Sequence, residues 1–408
     1  MKFMKNKDNF FTRNINIIKK KLRKNKNKFN LFEVVICMVI TFAVGLLTGG
    51  IIMYGTGSFT GHISSSLNEF VSIYNELVSE YYKDIDEDEL LRTGLNAMLS
   101  YIGDPYTTYI GVDEVDEFNE KLNGSYEGIG AEIIYYYDTK LLEFGTIYET
   151  GPAYAAGLKT GDRLLKINGE SCEGLDSSQV ASTVKGSKDP KVVLTILRDD
   201  KEMEIEIVRK VVEIPSVKSE IINNGDKKVG MLTVSVFADN TDEQFETELK
   251  KLEENKIDSL IIDLRGNTGG HLTTVTNMIS LFTKKGDVIY QLKTKGDVNI
   301  YKDKTKEYRD YKIIVLVDAQ SASASEVMTA ALRDTYGALV VGTNTFGKGK
   351  VQKTTTLSSG AIVKYTYQEW LTPNGESIDM VGIVPDYEIT EFSEKEELFI
   401  NKALELLK

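Results

Sequence analysis

Histidine is nearly absent from this chain: among 408 residues only His62 and His271 occur. A zinc site built from several histidines is excluded, and any Ser-His-Asp arrangement would have to use one of those two. Cysteine is equally scarce, with Cys37 and Cys172 alone, so neither a disulfide framework nor a four-cysteine metal site can exist. Six prolines and 41% hydrophobic residues argue against extended disorder, and the length calls for two or three domains.

Basic charge is missing from most of the chain and concentrated at its start. Residues 1–30 hold eleven Lys/Arg and one acid, Asp8. Subtracting these from 49 and 61 leaves 38 basic against 60 acidic residues, a net −22 over 31–408. A body this acidic repels a phosphate backbone, so no nucleic-acid partner is expected.

Directly after the basic block, Val34 to Tyr54 runs for 21 residues without a charge. As a helix it would reach roughly 30 Å, the thickness of bilayer hydrocarbon. Basic residues before it and an acidic body after it place the N-terminus inside and the rest outside the cytoplasmic membrane. A cleaved signal peptide would have a shorter apolar stretch and a small-residue cleavage site, and GTGS after Tyr54 keeps that alternative open. The expected order is a basic tail (1–30), a single-pass anchor (31–54) and a helical region (60–115). Leu67, Phe70, Val71, Tyr74, Leu77, Val78 and Tyr81 recur at helical spacing, and a second helix should start at Asp86, with Glu89 as a capping partner.

Residues 116–210 change character. GSYEGIGAEI leads into a strand-like run, AGLKTGDRLLKINGE follows, and a helix near 179–184 precedes KVVLTILR and EMEIEIVRK. This order resembles a PDZ domain. The resemblance places Gly128, Ile129, Gly130 and Ala131 in the loop whose backbone N–H groups would hold a peptide's terminal carboxylate. From 211 to 391 strands alternate with helices, the pattern of a largely parallel buried sheet. A C-terminal helix (392–408) offers Leu398, Ala403, Leu404 and Leu407 for docking. The terminal helices could form a homodimer or pack within the chain.

The segment DAQSASASE, Asp318 to Glu326, joins an apolar strand to a helix and carries three alternate serines. A serine there would stand beside free helix N–H groups, which suits a nucleophile. Ser323 with Glu326 also reads as a capping box, and Ser325 as an ordinary N-cap. TFGKGKVQ downstream places Lys348 and Lys350 in a glycine turn. A lysine of ordinary pKa is neutral about once in 2,500 at pH 7, so a base role requires burial that lowers the pKa by about three units.

SASASE and TFGKGKVQ, with DPYTTYI and DLRGNTGG upstream and TPNGESIDMVGIVPD downstream, are similar to the carboxy-terminal processing peptidases, Ser/Lys proteases with an inserted PDZ domain. The resemblance implies a crotonase- or Clp-like α/β core and needs no metal or cofactor. It implies Ser323 as nucleophile, Lys348 as base and Gln352 as a supporting group. The oxyanion hole would come from Ala324, Gly269 and Gly270. Ser321 and Ser325 would be structural and Lys350 solvated. Its partners would be proteins or peptides held by their C-termini, and Arg163 is a candidate for relaying PDZ occupancy to the site. His271 departs from the family pattern and is a rival base. A scaffold that binds exported C-termini without cleaving them is the alternative from a different class.

Overall fold

The computed structural model describes residues 65–306, 308–389 and 397–408, in two units, 1–90 and 91–408. Among the described residues no helix is long and apolar enough to cross a membrane. The expected basic tail at 1–30 and anchor at 31–54 lie outside the described residues, as do Cys37 and His62.

In the first unit a helix covers Ser65–Glu80, as its spacing predicts, with Leu67, Phe70, Val71 and Leu77 exposed. The next helix, Glu87–Tyr101, is capped by Asp86, whose carboxylate accepts from Glu89 N–H at 3.0 Å. Helix Val112–Asn123 ends at Gly124 in the left-handed region (φ 66°) and runs across the expected boundary at 116.

Five strands then form an antiparallel sheet in the order Ala131–Tyr136, Leu141–Ile147, Arg163–Ile167, Lys191–Arg198, Lys201–Val208, with Glu170–Ser171 pairing off the path. In Lys201–Val208, Ile205 and Ile207 point inward while Glu202, Glu204 and Glu206 stay exposed, the two-residue period of a half-buried strand. Helix Ser177–Gly186, capped by Asp176, closes the core through Val180 and Val184. Cys172 is buried there as a free thiol. The incoming strand Ser125–Gly128 pairs antiparallel with the outgoing Lys210–Glu213, and Ile214 N–H donates to Gly124 C=O at 2.8 Å. The module is therefore inserted into a second domain through two adjacent strands.

That second domain is built on a six-stranded sheet. Its order is Val217–Asn224, Lys227–Val234, Ser259–Asp263, Lys312–Val317, Leu339–Gly342, Tyr387–Glu388. All neighbours are parallel except the first pair. Every residue of Ser259–Asp263 is buried, as expected of a strand covered on both faces. Leu260 and Ile262 face helices Thr241–Glu254, Leu272–Ile279 and Ala324–Ala331. Ile261, Ile314 and Val341 face the other way, onto helix Glu397–Leu406, where Ala403 is buried, and onto Leu407 just after it. That helix is thus docked within the chain, one of the two arrangements expected of it. A smaller antiparallel sheet of Thr108–Ile110, Ile362–Leu371, Val288–Lys293, Val298–Lys302 and Lys350–Thr356 covers the strand ends that carry the serine and lysine turns.

Candidate active site

Strand Lys312–Val317 leads into the serine turn, which is tied to the turn after Ser259–Asp263. Asp318 accepts from the N–H groups of Gly266, Gln320 and Ser321, each at 3.0 Å. Ser321 Oγ donates to Leu264 C=O and Ser325 Oγ to Asn267 C=O, both at 2.8 Å. The outer two serines of the run hold the turn together. Ser323 has no such bond among the described residues, and it lines a cavity of about 320 Å³.

Ser323, not Ser325, occupies the N-cap position of helix Ala324–Ala331, with φ 56° and ψ −113°. This left-handed backbone is costly for a residue with a Cβ, about 1–3 kcal/mol, and persists because the surroundings fix it. The chief fixture is Glu326, whose side chain is fully buried. Its Oε2 accepts from Ser323 N–H at 2.8 Å and Lys348 N–H at 2.9 Å. Its Oε1 accepts from Thr345 Oγ1 and Gly347 N–H, both at 2.7 Å. The capping reading of Glu326 captured only the first of these four bonds.

Lys348 lines the same cavity. Its C=O accepts from Trp370 Nε1 at 2.9 Å, so its backbone is held from both sides. Burial pushes its amine below the ordinary lysine range, the Lys364 charge pushes it further, and Asp104 and Glu326 oppose. No hydrogen bond joins Lys348 Nζ to Ser323 Oγ; Nζ stands 4.8 Å from the centre of the Tyr106 ring. Lys350 is not a solvated lysine: it pairs with Asp379 at 2.8 Å, and that bond raises its pKa. Gly347 (φ 87°) and Gly349 let this turn approach the segment before Ile383, since a Cβ on Gly349 would lie 2.8 Å from that of Asp379.

Gln352 lines the cavity, but its amide donates to Thr366 Oγ1 at 3.2 Å and to neither Lys348 Nζ nor Ser323 Oγ, so it supports neither group directly. Gly270 and Ala324 also line the cavity, and neither N–H has a partner among the described residues. Gly269 differs, because its N–H donates to Asn267 Oδ1 at 2.8 Å and is not available to an oxyanion. Both glycines are needed for close approach. A Cβ on Gly269 would lie 2.9 Å from that of Ser323, and one on Gly270 would lie 2.2 Å from Phe237 O. His271 lines the cavity, but its Nε2 lies 3.1 Å from Leu122 O and 3.5 Å from Asp239 Oδ1.

Residues 228–389 match the model of Peptidase family S41, and residues 143–198 that of a PDZ domain. The chain is 35% identical over 329 residues to a probable CtpA-like serine protease of Staphylococcus epidermidis, covering 80% of this chain and 66% of that one. The corresponding protein of Staphylococcus aureus is 35% identical over 328 residues, with coverage of 80% and 65%.

The chain belongs to peptidase family S41.

It spans just under two thirds of the length of these curated relatives. An S41 protease candidate of Bacteroides fragilis shares the fold with a TM-score of 0.52 at 16% identity, over 82% of this chain and 96% of that one. The S41 core and the inserted PDZ domain are those expected from the motifs.

Within the PDZ domain, the loop Gly128–Ala131 is covered by the chain's own Tyr126. A Cβ on Gly128 would lie 2.3 Å from Tyr126 Cε2, so the absent side chain makes room for the ring. The hydroxyl faces the backbone N–H groups of Gly130 and Ala131, and burial pushes its pKa up to about 12. Arg163, half-buried on strand Arg163–Ile167 and paired with Glu143 and Leu197 in the sheet, does not line the cavity, and its side chain makes no hydrogen bond or ion pair among the described residues, so nothing in the structure links it to Ser323.

Proposed function

We propose that this chain is a serine endopeptidase of the carboxy-terminal processing type. The observation that carries the reading is an unbonded serine hydroxyl, in a strained N-cap position, sharing a cavity with a lysine whose amine is pressed below its ordinary pKa. The neutral Lys348 amine takes the proton of Ser323 as Oγ attacks a substrate carbonyl. The N–H groups of Ala324 and Gly270 receive the developing oxyanion. The Lys348 ammonium then protonates the leaving amine, an acyl-enzyme remains on Ser323, and water hydrolyses it with Lys348 again as base. Gln352 acts on the wall of the cavity through Thr366. The bond from Ser323 to Lys348 forms when substrate closes the site, as catalytic hydrogen bonds are often long without it.

Substrates are protein chains recognised at their C-termini by the PDZ domain through Gly128–Ala131. The apolar run at 34–54 and the basic residues before it support a single-pass anchor, with the peptidase outside the cytoplasmic membrane. The free hydroxyl and depressed amine leave the silent-scaffold alternative without an observation in its favour. Incubation with an unfolded protein tests the reading: cleavage by wild type and none by Ser323→Ala is expected. Peptide binding without cleavage by wild type would overturn it.

A further inference from the structure

Lys364 is a charged side chain in the catalytic cavity with no counter-ion among the described residues. It lies on strand Ile362–Leu371, in register with Thr108 on one side and Thr354 on the other. Its side chain lines the cavity that holds Ser323 and Lys348. Among the described residues it makes no hydrogen bond or ion pair, and its Nζ is 5.9 Å from the centre of the Phe118 ring. A half-buried ammonium left unpaired costs free energy, and such costs persist where the charge acts on something nearby. The nearby group here is Lys348.

We propose that Lys364 is a positioning residue for the Ser/Lys reaction, its ammonium in the same cavity keeping the neighbouring Lys348 amine free of a proton so that it can serve as base. This rests on the reading of Lys348 given above. Two like charges in one poorly solvated space cannot both persist, and the more crowded group gives up its proton first. Lys348 is the more deeply buried of the two, so its amine is the one that gives up the proton.

Two anions work in the opposite direction, and both are already engaged. Glu326 accepts four hydrogen bonds. Asp104 accepts from Thr107 Oγ1 at 2.6 Å and Tyr106 N–H at 3.1 Å. The Tyr106 ring, 4.8 Å from Lys348 Nζ, also favours the charged form. The other basic groups lining the cavity have their own partners. Lys350 pairs with Asp379, Lys353 lies over the rings of Tyr365 and Tyr367, and His271 is held by Leu122 O and Asp239. Lys364 is therefore the cation whose charge is least offset and which bears directly on the base. A second cation beside a lysine is a recognised way of lowering its pKa.

The test is the pH profile of kcat/KM on fluorescent casein and, separately, of Ser323 labelling by a fluorophosphonate, whose phosphorus is attacked by Oγ as fluoride leaves. Lys364→Met should move the acid limb of both profiles to higher pH by about one unit. On the limb that is about a tenfold loss, recovered as the pH rises. Lys364→Arg should keep the limb where wild type has it. An unmoved limb in Lys364→Met overturns the proposal, whether or not the rate falls at every pH. A raised KM for casein with an unmoved limb also overturns it and assigns Lys364 to binding a substrate carboxylate. Should Lys364→Met lose its thermal unfolding transition, Lys364→Gln is read by the same criterion. Wild type that neither cleaves nor labels would defeat the peptidase reading itself, whereas an active wild type with an unmoved limb in the variants defeats only the role of Lys364.

Discussion

The backbone N–H groups of Ser323 and Lys348 are bound by one carboxylate oxygen, Glu326 Oε2, at 2.8 and 2.9 Å. The two turns come from different strand ends, 25 residues apart in sequence (348 − 323), and this buried acid fixes their separation. Glu326→Gln replaces one oxygen by an NH₂ group, which would then face N–H or O–H donors. We expect a loss of about 3 kcal/mol in stability and at least a hundredfold in cleavage rate. Denaturant unfolding and casein hydrolysis check both. A variant of wild-type stability and rate would show that the acid is not needed to hold the turns.

Ser323→Ala and Lys348→Ala should each reduce cleavage by about a thousandfold or more while the far-ultraviolet circular dichroism stays native. Histidine is not an adequate substitute base, because His271 Nε2 is directed to Leu122 O. His271→Ala is accordingly expected to lose less than about tenfold. If it were as inactive as Lys348→Ala, the base would be reassigned.

Activity should rise with pH through the folded-state pKa of Lys348, which burial holds below 10.5. Between that value and 10.5 the unfolded chain binds more protons at this position than the folded one, so stability rises with pH across the window. Below it, the depressed amine is a net cost to folding. Lys348→Met should therefore raise the unfolding midpoint at neutral pH by about 1–3 °C, with the gain shrinking as the pH climbs from the folded-state pKa to 10.5 and absent above it. A midpoint lowered at neutral pH would contradict a desolvated amine.

A peptide carboxylate reaching Gly128–Ala131 must move the Tyr126 ring aside. Tyr126→Ala should tighten binding of a free C-terminal peptide by about three- to tenfold, measured by fluorescence anisotropy, if the loop keeps its shape. Weaker binding with an intact melting transition would mean that the ring is part of the peptide site.

Most of the architecture was legible because its signals are local. Three- and four-residue spacing marked the helix Ser65–Glu80, and uninterrupted apolar runs marked Ser259–Asp263 and Lys312–Val317. Ser323 and Lys348 were legible through short motifs in a fixed order. The parts that were not legible are those set by long-range contacts. Glu326 reads as a cap, and only folding brings Thr345, Gly347 and Lys348 to its oxygens. Asp379, in the motif before Ile383, claims Lys350, which its own turn presents like any solvated lysine. Gly269 and Gly270 are adjacent, and the Asn267 side chain separates their roles by occupying the first N–H. Lys364 carries no local motif and becomes notable only when the cavity around it is seen.

Because Gly124 and Ile214 meet in a direct backbone hydrogen bond, the 89 intervening residues (213 − 125 + 1) form a closed excursion from the peptidase chain. Removing it and joining the two ends by a short turn would ask little extra loop entropy of the remaining polypeptide. The catalytic half is thereby separable by design, and a trimmed chain would report what Ser323 does when no C-terminus has to be recognised first.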